Sequence, residues 1–144
     1  IAGNPGGGSY NWVINNGSGT SLGSSLIVLA ADKPAFFYEG GTKVYTTTNT
    51  ISRNAWHHIV ASYDATSTTV TIYIDGRPDS TSSALTSWSG GTSAVRLGAF
   101  INDAHYFNGQ IDDARIYNYA LTAKQVQTVM NEGAVRRGPV TGAP

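Results

Sequence analysis

Residues 54–76, NAWHHIVASYDATSTTVTIYIDG, carry the pattern that decides the fold class. Two strand-like runs, Ala55–Asp64 and Ser67–Gly76, are separated by a short turn, and the second run alternates apolar and polar side chains. Its apolar face consists of Val70, Ile72 and Ile74, and its polar face of Thr69, Thr71 and Tyr73. Such alternation is typical of a half-buried antiparallel strand, and Asp75-Gly76 supplies the residues that a tight hairpin turn requires. The stretch therefore predicts consecutive antiparallel strands.

Shorter runs of the same kind surround this stretch and are separated by Gly, Ser, Asn and Pro, which predicts further strands. The predicted strands are Ser9–Asn15, Ser25–Asp32, Ala35–Gly40, Lys43–Thr48, Ala94–Phe100 and a long last strand, Phe107–Ala120. A helix should follow, beginning after the N-cap residue Thr122 and ending at Gly133. We assign residues 1–133 to one domain and residues 134–144 to a linker or tail.

The composition excludes several classes of function. The formal net charge of the 144 residues is zero and the nine Lys and Arg residues are scattered, unlike the clustered basic surface of a nucleic-acid-binding domain. The chain has no cysteine, which excludes disulfides, thiol nucleophiles and zinc–thiolate sites. The longest apolar run, Leu26–Ala31, is too short for a transmembrane helix. Abundant Ser, Thr and Tyr suit an extracellular or cell-surface module, and the first residue is not Met, so we expect a mature or excised piece of a larger protein.

Four short motifs follow one another along the chain in a recognisable order and spacing. They are Trp56-His57 at the start of a strand, Tyr63-Asp64 at its end, the Asp75-Gly76 hairpin, and the run GQIDDARIYNYALT at Gly109–Thr122. Together with Val95–Phe100, they resemble the laminin-G-like, concanavalin A-like jelly-roll modules of bacterial surface and secreted proteins. The resemblance implies an all-β fold, an antiparallel β-sandwich of jelly-roll type with one short C-terminal helix.

The resemblance also implies a calcium ion. In such modules one Ca²⁺ is often held by an Asp of the last strand together with backbone carbonyls of the N-terminal segment, and Asp112 occupies the matching position. A Phe-Asp-Gly motif that usually belongs to an additional N-terminal strand is absent from this sequence. We therefore expect incomplete N-terminal strands and completion of the sheet by a neighbouring domain or a second copy, because an uncovered edge strand promotes aggregation.

The adjacent carboxylates Asp112 and Asp113 allow three interpretations. Catalysis as in related jelly-roll glucanases requires two carboxylates aimed at one glycosidic bond, whereas neighbouring strand residues point to opposite faces. The chain's two glutamates, Glu39 and Glu132, are far apart in sequence, so an enzyme of this type is not expected. Asp112 is then either a calcium ligand or a carboxylate that pairs with Arg115 or accepts loop N–H groups. Asp113 should pair with Arg115 across one strand face.

Aromatic and polar side chains in two loops form a candidate glycan-contact set, because aromatic faces stack on sugar C–H surfaces and polar side chains bond sugar hydroxyls. The set comprises Trp88, Asn102, Asp103, His105 and Tyr106. An ordinary hairpin with a capping aromatic residue explains the same loops equally well. His57 and His58 are interpreted as structural, and no Ser-His-Asp triad follows from the spacing.

These observations favour a non-catalytic carbohydrate- or protein-binding or adhesion module of a larger extracellular or cell-surface protein, with one structural calcium ion. Its expected partner is a glycan or a surface protein, without nucleic acid or membrane insertion. The alternative is a structural subunit of a virion, fibre or surface layer, since a neighbouring subunit could supply the missing N-terminal strands.

Overall fold

A computed structural model of the chain describes residues 2–3, 10–16, 23–38, 43–82, 94–100 and 106–135. The strands in these ranges are β1 Ala2–Gly3, β2 Tyr10–Asn16, β3 Ser24–Leu29, β4 Pro34–Tyr38, β5 Lys43–Thr46, β6 Ile59–Asp64, β7 Thr69–Ile74, β8 Arg77–Ser82, β9 Arg96–Leu97 and β10 Gly109–Gln110, and the helix is α1 Ala123–Val135. Within the same ranges, no helix has the length and apolar character needed to cross a membrane.

The strands form two facing sheets and one separate pair. The larger sheet has five strands in the order β5-β4-β3-β2-β9, the smaller has three in the order β6-β7-β8, and β1 pairs with β10. Every pairing among these strands is antiparallel. The predicted antiparallel β-sandwich of jelly-roll type with one short C-terminal helix is confirmed.

The main core lies between the two sheets. Val70 and Ile72 of β7, each 1% exposed, belong to the same buried cluster as Phe36 and Tyr38 of β4. Alternate residues of a strand share a face, and this is the face of β7 that the sequence predicted to be buried. Removing one such side chain from water stabilises the fold by about 1.5–3 kcal/mol.

The central strand β4 is buried on both faces, which explains its continuous apolar run. All five residues of Pro34–Tyr38 are buried. Phe36 and Tyr38 contribute to the core between the sheets, whereas Phe37 packs beside Trp12 on the opposite face. The Trp12 ring stacks on Phe100 with 4.4 Å between centroids. A strand covered on both sides has no solvent-facing positions, so alternation is not expected of it.

Helix α1 covers the outer face of the smaller sheet. Tyr73 was predicted to lie on the polar face of β7, but it is only 7% exposed because it packs against Leu121 and Val126. The predicted N-cap is confirmed: Thr122 Oγ1 accepts the Gln125 N–H at 3.3 Å, and Gln125 Oε1 accepts the Thr122 N–H at 2.9 Å. This reciprocal pair is a capping box, which fixes the start of the helix.

The turn between β7 and β8 has the predicted hairpin geometry. Asp75 and Gly76 have φ values of 50° and 76°, and two consecutive positive φ values define a type I′ turn. A Cβ atom on Gly76 would lie 3.3 Å from the Met130 sulfur, so the helix also packs closely on this turn. The helix continues to Val135, two residues beyond the predicted end at Gly133.

The long last strand predicted for Phe107–Ala120 is wrong in its extent. Only Gly109–Gln110 forms a strand there, and residues 111–117 form neither strand nor helix. Asp113 has a φ of 52°, in the left-handed region, which interrupts an extended backbone. Its N–H donates to Asp112 Oδ1 at 2.7 Å, a local bond that replaces strand pairing at this point. The two adjacent carboxylates are therefore not directed to opposite sides by strand alternation.

Candidate binding site

A cleft of about 320 Å³ lies between β9 and residues 107–117, which we call the closing segment. It is lined by Leu97, Gly98, Phe107, Gly109, Ile111, Asp112, Asp113 and Ala114. Apolar side chains thus adjoin two carboxylates in one concave surface.

Gly98 joins the two sides of this cleft. Its N–H donates to the Val13 carbonyl at 3.0 Å, and its own carbonyl accepts the Phe107 N–H at 2.9 Å. These two bonds tie the closing segment to β2. Gly98 has a φ of 72°, and a Cβ atom there would lie 3.6 Å from Ile111, which is ordinary contact. The backbone conformation, rather than lack of space, therefore favours glycine at this position.

Tyr106 immediately precedes the cleft residue Phe107 and is 60% exposed. Tyr106 itself is not among the residues that line the cleft. The other predicted glycan-contact residues, Trp88, Asn102, Asp103 and His105, lie outside the residues that the structure describes.

The two carboxylates of the cleft have different partners. Asp113 Oδ1 lies 2.8 Å from Arg115 Nε, so the predicted ion pair is confirmed, and the same guanidinium reaches Glu132 at 3.2 Å. Side-chain hydrogen bonding with Tyr117, and then with Asp113 and Glu132, raises the pKa of Arg115, which stays charged. Asp112 accepts a loop N–H, one of the roles expected for it. The charge of Asp113 is thus compensated within the closing segment.

The residues around Asp112 offer limited support for a metal ion. In the described ranges, no three His, Cys, Asp or Glu side chains are grouped so as to hold one. A calcium ion at Asp112 would therefore take most of its six to eight oxygen ligands from backbone carbonyls and water. The N-terminal strand β1 pairs with β10 just before Asp112, so backbone from that end of the chain does lie nearby. Calcium binding stays a prediction.

Ser52, His57 and Asp75 form a hydrogen-bonded row that sequence spacing did not reveal. His57 Nδ1 lies 2.9 Å from Asp75 Oδ2, and His57 Nε2 lies 2.8 Å from Ser52 Oγ. The Ser52 N–H also donates to Nε2, at 3.1 Å, so Nε2 is an acceptor and Nδ1 carries the proton directed at Asp75. The second Asp75 oxygen accepts the His58 N–H at 2.9 Å. The row fastens residues 52–58 to the β7–β8 turn, and the Trp-His and Asp-Gly motifs are the sequence signals that mark it.

This row has the order of a Ser-His-Asp triad, but its hydrogen bonding differs from that of an activated nucleophile. In a triad the base nitrogen accepts the serine O–H. Here the lone pair of His57 Nε2 is shared between the N–H and the O–H of Ser52. Sharing weakens His57 as a base toward the hydroxyl, so the arrangement is suited to structure better than to nucleophilic attack.

A second cavity, of about 650 Å³, lies between the sheets, and we call it the inter-sheet cavity. Its lining includes Ile14, Leu26 and Phe36 from the larger sheet, all six residues of β6, and residues 111–121. His58 also lines it; the His58 Nδ1 atom is buried and has no hydrogen-bond partner within the described ranges. Burial lowers the pKa of His58 below its ordinary value of 6.5, and the charge of Asp75 opposes part of this shift.

The comparison with family models gives one match. The laminin G family model described as the concanavalin A-like lectin/glucanases superfamily matches residues 3–127. The search of curated proteins gives no match.

Two solved structures are similar to this chain. One is a candidate carbohydrate binding protein from Bacteroides ovatus, with a TM-score of 0.66 and 18% sequence identity, covering 87% of this chain and 37% of the other. The second is an S-layer domain-containing protein from Clostridium thermocellum, with a TM-score of 0.46 and 22% identity, covering 85% of this chain and 63% of the other. This chain therefore spans less than two thirds of the length of either structure, and the first likeness shows a shared fold.

Proposed function

This chain belongs to the laminin G family of the concanavalin A-like lectin/glucanases superfamily, and we propose that it is a non-catalytic carbohydrate-binding module of a larger extracellular or cell-surface protein. The observation that carries the proposal is the cleft beside β9, where apolar side chains adjoin the carboxylate of Asp112 and the exposed residue Tyr106 is next in the chain to the lining residue Phe107. Carbohydrate binding is also the role ascribed to the Bacteroides ovatus neighbour.

The chemistry of the cleft matches the two kinds of surface that a sugar presents. A pyranose ring has apolar C–H faces, which pack on side chains such as Tyr106 and Leu97, the latter 54% exposed. Its hydroxyl groups donate to carboxylate oxygens such as those of Asp112. The cleft volume is near the lower end of the range for small-molecule sites, about 300–1,000 Å³. A terminal sugar residue therefore fits it better than a long chain.

The test is direct binding of glycans to the purified chain. We expect a glycan-array signal, confirmed by calorimetry, that falls at least tenfold in Tyr106→Ala and in Asp112→Asn. Tyr119→Ala is the matched control, since Tyr119 is 56% exposed like Tyr106 but is not next in the chain to any residue that lines the cleft. Equal losses in the control and the cleft variants, or no signal across a broad array, would contradict the proposal.

The absence of catalysis is part of the proposal and has its own test. The row of Ser52, His57 and Asp75 is the arrangement most able to contradict it, because its distances are those of a nucleophile, base and carboxylate. We expect no covalent labelling by a fluorophosphonate probe, read by intact mass, because the N–H of Ser52 shares the His57 lone pair. Labelling that disappears in Ser52→Ala would show an active serine and reject this part of the proposal.

A structural calcium ion at Asp112 is a further part of the proposal. Any ligand that binds the folded state alone raises its stability. If calcium binds here, a chelator lowers the melting temperature of the wild type and leaves Asp112→Ala unchanged. If the wild type melts at the same temperature with and without chelator, the proposed calcium site at Asp112 is rejected.

Assembly through a sheet edge is the second candidate function. β6 is an edge strand of the smaller sheet among the described residues, and edge strands can pair with another chain. A neighbouring domain or second copy could complete the sheet there. Light scattering distinguishes the two functions: a folded monomer at high concentration argues against assembly, and a stable dimer or larger species supports it.

A further inference from the structure

We propose that the inter-sheet cavity binds a small, uncharged amphipathic molecule that has an apolar body and at least one hydroxyl group. This cavity shares Ile111, Asp112, Asp113 and Ala114 with the glycan cleft, but the rest of its lining is its own, and the proposal does not depend on glycan binding. The apolar lining comes from both sheets, with Leu26 and Phe36 on one side and Ile59 and Ala61 on the other. A sandwich interior is normally close-packed, so an apolar space of about 650 Å³ is one that the fold cannot leave empty without loss of contacts.

Two buried polar atoms define the polar part of the ligand. His58 Nδ1 and Asn16 Oδ1 are both buried, both residues line the cavity, and neither atom has a hydrogen-bond partner within the described ranges. A buried polar atom without a partner is costly, and a ligand that bonds it recovers that cost. A hydroxyl group both donates and accepts, so it satisfies His58 Nδ1 in either neutral tautomer and can donate to Asn16 Oδ1.

Moving a charge from water into this largely apolar cavity is costly, and the charges already there oppose an anionic ligand in particular. The charged side chains that line it are Asp64, Asp112, Asp113 and Arg115. Arg115 is already paired with Asp113 and Glu132, so the carboxylates exceed the available cations and an anionic head group would be repelled. A glycan would place many hydroxyls against apolar side chains, and a water cluster needs two to four polar partners for each molecule. An apolar body with one or two hydroxyls matches the lining best.

The experiment compares two probes of nearly the same shape, 2-naphthol and 2-methoxynaphthalene, of which the second cannot donate a hydrogen bond. We expect saturable binding of 2-naphthol by calorimetry, with amide NMR shifts in β6 and in residues 111–121. The methoxy compound should bind at least tenfold more weakly. In His58→Leu, the affinity for 2-naphthol should fall to that of the methoxy compound, which itself should change by less than twofold.

A second variant tests the location. Ala61→Phe places a ring in the cavity and should abolish binding, whereas Ala123→Phe places the same ring on the exposed first turn of α1 and should leave binding unchanged. The NMR spectrum reports whether each variant is folded. Three results would overturn the proposal: no saturable binding of 2-naphthol by the folded wild type, equal affinity for both probes, or shifts confined to Leu97, Gly98, Phe107 and Gly109, which line only the β9 cleft. A dimer whose interface contains the β6 amides would do the same, since a strand would then occupy the space.

Discussion

The β6–β8 sheet and the closing segment have equally strand-like sequences, but they differ in structure. β6, β7 and β8 pair in continuous register over residues 59–82, apart from one irregularity between Ile72 and Tyr73. The closing segment contributes only the two residues of β10, and then bends at Asp113. The first region carries its own turn, its own alternation and its own partner strand, all within 24 residues of chain.

This difference shows when a strand-like sequence pattern is sufficient to predict a paired strand. In the β6–β7 hairpin every element needed for pairing is local, so pattern and structure agree. The closing segment has no adjacent partner in the sequence, and its pairing depends on a distant strand, β1. Its two carboxylates then find local partners, in the Asp113 N–H and in Arg115. A strand-like pattern alone does not secure strand structure where side chains offer local alternatives.

The largest effect should come from the core of the well-paired region. Ile72 is 1% exposed between the sheets, so Ile72→Ala should destabilise the fold by about 2–5 kcal/mol through lost burial and a residual cavity. The matched change in the closing segment is Ile116→Ala, where the side chain is 68% exposed and the cost should be within about 0.5 kcal/mol. Urea unfolding measures both. Similar losses at the two positions would break the comparison, because Ile116 would then be packed in solution.

The next largest effect should come from the hairpin turn. Gly76→Ala forces a side chain into a left-handed conformation at φ 76°, which costs about 1–2 kcal/mol, and it also presses on Met130. Gly109→Ala in β10 is the control, since that backbone is extended and tolerates a Cβ. Thermal unfolding of the two variants should separate them clearly. Equal melting temperatures would mean that the turn is not fixed in the type I′ form.

A smaller effect should come from the helix start. Thr122→Ala removes the hydroxyl that accepts the Gln125 N–H, and loss of an N-cap costs about 1 kcal/mol. Thr128→Ala is the matched control, because Thr128 is an exposed residue in the middle of the helix whose hydroxyl donates to the Lys124 carbonyl of the same helix, and Ala is the better helix former. The control should be neutral or slightly stabilising in urea. Destabilisation of both by the same amount would contradict a specific cap.

The distinction between local and long-range contacts also explains which features of the structure could be predicted from the sequence. The strands β6 and β7, the hairpin turn that follows them, the cap and the Asp113–Arg115 pair all rest on residues within about twenty positions of each other. The strand β8 was not predicted, because its sequence RPDSTS is polar. The burial of Tyr73 depends on the packing of the distant helix α1, which no local pattern encodes. The Ser52–His57–Asp75 row joins residues 5 and 18 positions apart, but residues 51–58 form neither strand nor helix, so no periodic pattern marks its geometry. The cleft is similar, since Gly98 brings together β2 and the closing segment, which are about ninety residues apart in the sequence.

The smallest effect that distinguishes the regions should appear in the dependence of stability on pH. Burial lowers the pKa of His58 in the folded state below 6.5, so the unfolded chain binds more protons than the folded one just below that pH. Stability should therefore be fully present above pH 6.5 and should decline as the pH falls through this window. In the His58→Leu variant this part of the decline should be absent, as measured by urea unfolding from pH 7 to pH 5.

Asp64 provides the control for this last prediction, because its pKa is also lowered but in a more acidic range. Hydrogen bonds from the Ser67 hydroxyl and then from the Thr66 N–H lower the pKa of Asp64 below 3.8, so the stability that it contributes is lost only at lower pH. Between pH 7 and pH 5, Asp64→Asn should lose as much stability with falling pH as the wild type does, although its stability is lower throughout, whereas His58→Leu should lose less. If His58→Leu and the wild type lose stability in parallel over that range, His58 is not buried as a neutral group, and the inter-sheet cavity must open to water beside it.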